Sequence, residues 1–344
     1  MINAEMPSGL PRLRRATGIV IPVYIPNGVD RTQSVALLAD TVAGCCEQVE
    51  DPTPICLSVD GVANGAEAAQ ELVERYGVSL ALTPVNRGKL QGVREGARVL
   101  LRRPELDYIA VLDCDSDHFA NELQNFVRAA EHVVQQTGDD RLLVLGRRIS
   151  PHRPMGWLRG ELELVADRVL LHALHYHAAL SGEPLRLEYA TMIDDIPDFH
   201  SGYKLFSRRT AHEVFLPQPE MAGTSETTYF RHAVEAVMVV EALLKRARLV
   251  VVNRTTYNRQ PVTTFGLLNR ARLTADMIIW PCKRLGIPGA FVRQWLENEL
   301  PTLQLGTLIP EGREELRAVY LRVLEAYGID SDGRDPFAKQ PLFI

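Results

Sequence analysis

The stretch Tyr108–His118 reads YIAVLDCDSDH, an apolar run that delivers Asp113, Asp115 and Asp117 at alternate positions. Carboxylates this close repel one another, so their charged forms need water, a basic side chain or a cation. Along an extended chain, alternate side chains share a face. Where a strand ends and turns, two of the three can converge on one ion. Mg²⁺ and Mn²⁺ take oxygen ligands and commonly bind one or two carboxylates together with substrate phosphates. A solvated acidic turn is the competing reading of the same residues.

Three other stretches hold chemically capable residues. Asp60 closes LSVDG, where its carboxylate can accept hydrogen bonds from a base or ribose, or can serve the turn itself. Asn86–Gly96 (NRGKLQGVREG) sets Gly88 and Lys89 at the start of a helix, a suitable place for a phosphate, although the Walker pattern is absent. His172 and His175 stand three apart in LHALHYH; without a zinc-protease signature the surface of a helix is the better reading.

The elements that must position these residues follow from periodicity. Short apolar strands at 18–23, 54–59, 78–82 and 108–112 alternate with amphipathic helices at 32–49, 66–76 and 89–102. Such alternation predicts an α/β fold with a mainly parallel sheet covered on both faces. Right-handed crossovers place the strand C-terminal ends, and with them Asp60 and Asp113, on one edge, where open sheets bind ligands. Further on, the pattern predicts a helix at 122–136 and a strand at 142–146. A long helix at 157–180 comes next, then a turn entering a strand at 198–206, a helix at 229–246 and a strand at 249–252. From about residue 265 the chain reads as mostly helical, and the tail 331–344 as loosely held.

Composition bounds the function. A chain of 344 residues with 46% hydrophobic content can bury a large core. The net charge of −5 argues against a nucleic-acid partner. Five cysteines without zinc spacing read as free thiols of a reducing compartment. No signal sequence and no membrane span of about 18 apolar residues is evident, so a cytoplasmic location is expected. Leu273–Ile287 is apolar enough for peripheral membrane contact or a homodimer interface, though core is the more usual place for such a helix.

Taken in order, IVIPVYIPNG, LSVDG, VNRGKLQGVREGAR and AVLDCDSDH resemble the nucleotide-sugar half of GT-A glycosyltransferases, especially family 2. GRRIS (146–150), DFHSGYKLFSRR (198–209) and HAVEAVMVVEALLKRARLVVVN (232–253) resemble the acceptor half of its polyprenol-phosphate sugar transferase branch. TTFGLLNRARL (263–273) resembles the family's Gln-x-x-Arg-Trp region, with Asn269 in place of Gln, Leu273 in place of Trp, and Arg272 matching. The resemblance covers about residues 18–275. It implies a GT-A, Rossmann-like nucleotide-binding half (1–118), an acceptor half (119–262) and a C-terminal helical extension (263–344).

The resemblance also implies roles. Pro22 and Val23 line the base pocket, Asp60 binds base or ribose, and Lys89 lies near the nucleotide. Asp113 and Asp115 form the DxD pair that holds Mg²⁺ or Mn²⁺, with Asp113 nearer the ribose, and Arg272 contacts the diphosphate. His200, Ser201 and Gly202 face the acceptor, and Glu235 is the catalytic base. The family has no third aspartate like Asp117, which is left as a supporting or an exposed residue. The implied reaction moves a sugar from a UDP- or GDP-linked donor to a hydroxyl or phosphate of a small-molecule or lipid-phosphate acceptor, with inversion. A retaining enzyme with a small polar acceptor and a non-catalytic nucleotide-sugar-binding protein are the alternatives. A nucleotidyltransferase is disfavoured because the first strand runs into IPVYIPNG and not into a Gly-rich phosphate loop.

Overall fold

The computed structural model describes residues 9–25, 30–190, 196–257, 269–333 and 335–337. One mixed sheet runs through the chain: β1 (Thr17–Val23), β2 (Ile55–Asp60), β3 (Ser79–Thr83), β4 (Tyr108–Val111), β5 (Leu142–Arg148), β6 (Lys204–Ser207) and β7 (Arg248–Arg254), in spatial order β3-β2-β1-β4-β6-β5-β7. Every pairing is parallel except those of β6 with β4 and β5. This is the α/β architecture with a mainly parallel sheet that the alternating pattern predicts.

The reversed strand β6 is the exception within the mainly parallel sheet. A reversed strand begins where its neighbours end. Val111, at the end of β4, lies opposite Lys204, at the start of β6. The turn that leads into β6 therefore sits on the same sheet edge as the Asp113 turn.

Both sheet faces are buried, and strand alternation sorts side chains between them. Ile19, Ile21 and Val23 of β1 join the core under α1 (Leu10–Ala16), α2 (Arg31–Gln48), α3 (Ala66–Tyr76) and α5 (Leu123–Thr137), while Val20 faces the other side. That second, larger core lies under α4 (Lys89–Leu100), α6 (His152–Ser181), α7 (Arg208–Phe215) and α8 (Val234–Leu244). The C-terminal helices α9 (Arg270–Arg284), α10 (Gly289–Glu299), α11 (Leu305–Leu308) and α12 (Gly312–Ala326) extend it.

Several boundaries differ from the periodic reading for local reasons. Helix α6 is broken at Gly156, whose φ of 76° is not helical; the helix expected at 157–180 is the part after the break, and a short helical segment from His152 precedes it. The helix expected from 229 begins as one wide π turn, Thr228–His232, and α8 proper starts at Val234. Helices α1 and α7 are short amphipathic segments that the apolar periodicity does not announce. The apolar stretch from Leu273 is core and not a membrane or subunit face. Met277 is 6% exposed, and Trp280 is fully buried with its indole N–H on the Glu220 carbonyl at 3.0 Å. Among the described residues no helix is long and apolar enough to cross a membrane. All five cysteines are free thiols, as expected.

Candidate active site

Six elements converge on a cavity of about 370 Å³ at that sheet edge, within the range of small-molecule sites. Pro22 and Val23 come from the end of β1, Asp60 from the end of β2, and Gly88 and Lys89 from the start of α4. Asp113 and Asp115 follow β4, His200 and Gly202 precede β6, and Glu235 lies in the first turn of α8. The cavity thus gathers most of the residues singled out above.

Lys89 is its electrostatic centre. Its ammonium lies 2.6 Å from Asp113 Oδ1 and 2.8 Å from Glu235 Oε1. Burial works against the lysine's charge, but the two carboxylates outweigh it and hold its pKa above the ordinary value. Conversely Lys89 overrides burial at Asp113 and Glu235 and keeps both carboxyls below the usual range. Lys89 can hold its chain position because Gly88 turns with φ 136°, a conformation disfavoured for other residues, and because a side chain there would collide with the Phe230 carbonyl. Asp60 fixes this turn: one oxygen accepts the Thr83 hydroxyl at 3.0 Å and the other accepts the Gly88 amide. Asp60 thus does turn work even as it lines the cavity.

The DCDSD turn divides its three carboxylates by environment. Asp113 is paired with Lys89. Asp115 is pushed up to about 6, by burial first and then by the charge of Asp113, and has no basic ion-pair partner among the described residues. Asp117 is 1% exposed: its oxygens take the Tyr257 amide at 2.9 Å and the Arg254 guanidinium at 3.1 Å. It is a structural group, not an exposed one. Ser116 supplies the left-handed residue of the turn, φ 65°. His118, whose pKa burial drives well below its ordinary value, accepts the Asp113 amide on Nδ1 at 2.9 Å and stacks on Tyr203.

Opposite this turn, the lead-in to β6 wraps the buried Lys204, whose ammonium donates to the carbonyls of Phe199 and Ser201. Burial lowers the Lys204 pKa to about 8. Gly202 packs so closely on the aspartate turn that an added Cβ would stand 2.6 Å from Asp113 Oδ2. Ser201 is fully buried and turned away from the cavity, its hydroxyl taking Arg254 Nε at 3.3 Å. Of the three acceptor candidates, His200 and Gly202 line the wall and Ser201 supports it from behind.

Arg272 is not brought to the cavity. Its side chain is 50% exposed, with its nearest acid, Asp276, at 3.9 Å. Its neighbour Leu273 lines the wall instead. Residues 263–268 of the segment that resembles the Gln-x-x-Arg-Trp region lie outside the described residues. Arg231 lines the cavity and donates to the Asn86 carbonyl and Oδ1 at 2.8 and 2.7 Å. Arg148 and Arg159 line the far side beside Glu163. These arginines, with His118, His232 and Arg254, are not marked out by the sequence, because the cavity they line is assembled from distant segments. The histidines at 172 and 177 serve α6 packing, on Glu299 Oε1 and the Leu285 carbonyl respectively.

No family model and no curated protein matches the chain. Among solved structures it is similar to S. aureus TarS residues 1–349 (TM-score 0.42, 10% identity, 91% of this chain and 90% of that one). The same protein in complex with UDP gives a TM-score of 0.43 at 12% identity, over 91% and 89% of the two chains. A 4-diphosphocytidyl-2C-methyl-D-erythritol synthase from Anaerococcus prevotii is similar at a TM-score of 0.39 and 10% identity, over 81% and 99%. At these scores the likenesses identify no family, and the functional reading comes from the cavity's own residues.

Proposed function

We propose that the chain is a glycosyltransferase that uses a nucleoside-diphosphate sugar, UDP- or GDP-linked, and a divalent cation. The observation that carries this reading is the convergence, in one cavity, of Pro22, Val23, Asp60, Lys89, Asp113, Asp115 and Glu235. These residues were selected from separate segments by resemblance to one enzyme family. A solvated acidic turn would not need its aspartates to face a cavity floored by a lysine and flanked by a second acid.

The donor set suits Mg²⁺ or Mn²⁺. Asp115 is an oxygen ligand without a cationic partner, beside Asp113, and burial and like charge leave it wanting one. Asp113 and Asp115 would hold the ion, which supplies charge neutralisation for the departing diphosphate. Lys89 adds a positive charge at the start of α4, where an anion is also favoured by the helix N-terminus. Pro22 and Val23 offer an apolar wall to a base.

On this reading the acceptor enters from the side of His200, Gly202, Arg148 and Arg159. Attack from the face opposite the diphosphate inverts the anomeric centre. The test is turnover of UDP-glucose and GDP-mannose with Mn²⁺, followed by ¹H NMR of the anomeric proton. Release of nucleoside diphosphate with an inverted sugar is expected. A retained anomer would replace the inverting mechanism by the retaining one, and nucleotide binding without any turnover would favour a non-catalytic nucleotide-sugar-binding protein.

A further inference from the structure

His200 is the most unusual group in the cavity wall. Its side chain is only 2% exposed, and Nδ1 lies 2.7 Å from Asp167 Oδ1 on α6. Its other nitrogen, Nε2, is buried and has no hydrogen-bond partner among the described residues. Buried polar atoms are nearly always paired, so an orphan that lines a cavity points to a group supplied by a ligand. Asp167 fixes the tautomer: Nδ1 carries the proton, and Nε2, enclosed within the cavity wall, keeps its lone pair for a group that reaches it. An acid that orients an imidazole whose far nitrogen is free is the arrangement that general-base catalysis uses.

Glu235 is worse placed for that task. Its Oε1 is held by the Lys89 ammonium at 2.8 Å, and Lys89 is itself bound to Asp113. Taking a proton on that oxygen would first require breaking the ion pair.

We propose that His200, oriented by Asp167, is the base that takes the acceptor's proton, while Glu235 holds Lys89 in place. This inference rests on the transferase reading above. In the step, the acceptor O–H bond breaks and its proton passes to His200 Nε2. The acceptor oxygen bonds to the anomeric carbon, and the electron pair of the anomeric C–O bond leaves with the nucleoside diphosphate. Gly202, two residues on, lies against Asp113 and brings the His200 turn up to the donor side.

The charged groups that face His200 come from α6 (Asp167, Glu163) and α8 (Glu235). Burial lowers its pKa, and Asp167 first among these acids more than offsets that, leaving it above the ordinary value of about 6.5. A base must be neutral to act, so activity is lost as pH falls through a point above 6.5.

The experiment measures UDP release from UDP-glucose with Mn²⁺ and with water as acceptor, across pH, and UDP affinity separately by calorimetry. In His200→Gln we expect unchanged UDP affinity and a loss of about 10²-fold or more in UDP release. Asp167→Asn keeps the imidazole but removes its orienting charge, so its rate falls and its acidic limb moves to lower pH. A His200→Gln enzyme that keeps wild-type release overturns the assignment, as does an unmoved limb in Asp167→Asn. Wild-type protein that binds no UDP or GDP overturns the transferase reading, and this proposal with it.

Discussion

Asp115→Ala is expected to abolish metal-dependent nucleotide binding and to lower turnover by about 10³-fold or more, the scale of losing a principal stabiliser of transition-state charge. The same variant should leave the ligand-free fold at least as stable as wild type near neutral pH. Asp115 has no basic ion-pair partner among the described residues, and its charge is opposed by burial and by Asp113. Deleting it removes a repulsion and no salt bridge. That combination, an intact or firmer fold with a dead site, separates a functional carboxylate from a structural one. Thermal unfolding with and without Mn²⁺ and UDP reads both halves. A variant that melts well below wild type without ligands would show Asp115 to be structural.

Arg254→Ala should act in the opposite way. Arg254 and Asp117 are 2% and 1% exposed at their side chains, and Arg254 also reaches Ser201 Oγ and the backbone oxygens of Asp117 and Thr255. It ties the aspartate turn to the turn before β6, so it joins two walls of the cavity. Removing it leaves the Asp117 carboxylate buried with only the Tyr257 amide and no counter-charge. Breaking one partner of a buried pair costs about 3–5 kcal/mol. For a chain of 344 residues this corresponds to a fall of about 5 °C in the unfolding midpoint. Chemical denaturation gives the free energy directly. A loss under about 1 kcal/mol would mean that water replaces the guanidinium and that the turn is not held as described.

The contrast between these aspartates shows what the sequence could and could not disclose. DCDSD presents three chemically equal residues at equal spacing. Folding makes Asp113 a partner of Lys89, leaves Asp115 without a basic ion-pair partner among the described residues, and hides Asp117 under Arg254. No local signal separates them, because Lys89 and Arg254 lie far along the chain on either side. The strands and helices of the first half were legible because short apolar runs alternate regularly with amphipathic segments. Helix α3, expected at 66–76, spans those residues. The second half was less legible. A four-residue reversed strand, β6, carries almost no periodic signal, and the π turn at Thr228–His232 is merged by the apolar pattern into the helix that follows.

The same dependence on folding decides where the candidate site residues stand. Glu235 falls in the cavity because α8 begins at Val234, after a wide turn that the apolar pattern merges into the helix. Arg272 fails to enter it because the next position, Leu273, takes the inward face of α9. The orphaned nitrogen of His200 could not be seen at all before folding, since its meaning depends on Asp167, which lies 33 residues earlier on another element.

The measurement that tests the central claim most directly is thermal unfolding of the wild-type chain against UDP, GDP, CDP and ADP, each with and without Mn²⁺. A ligand at about 100 times its dissociation constant adds about 2.7 kcal/mol to stability, enough to move the midpoint by a few degrees. A shift with UDP or GDP that needs the metal and disappears with EDTA is expected. No shift with any nucleoside diphosphate, or one indifferent to metal in the wild type and in Asp115→Ala alike, would contradict that claim.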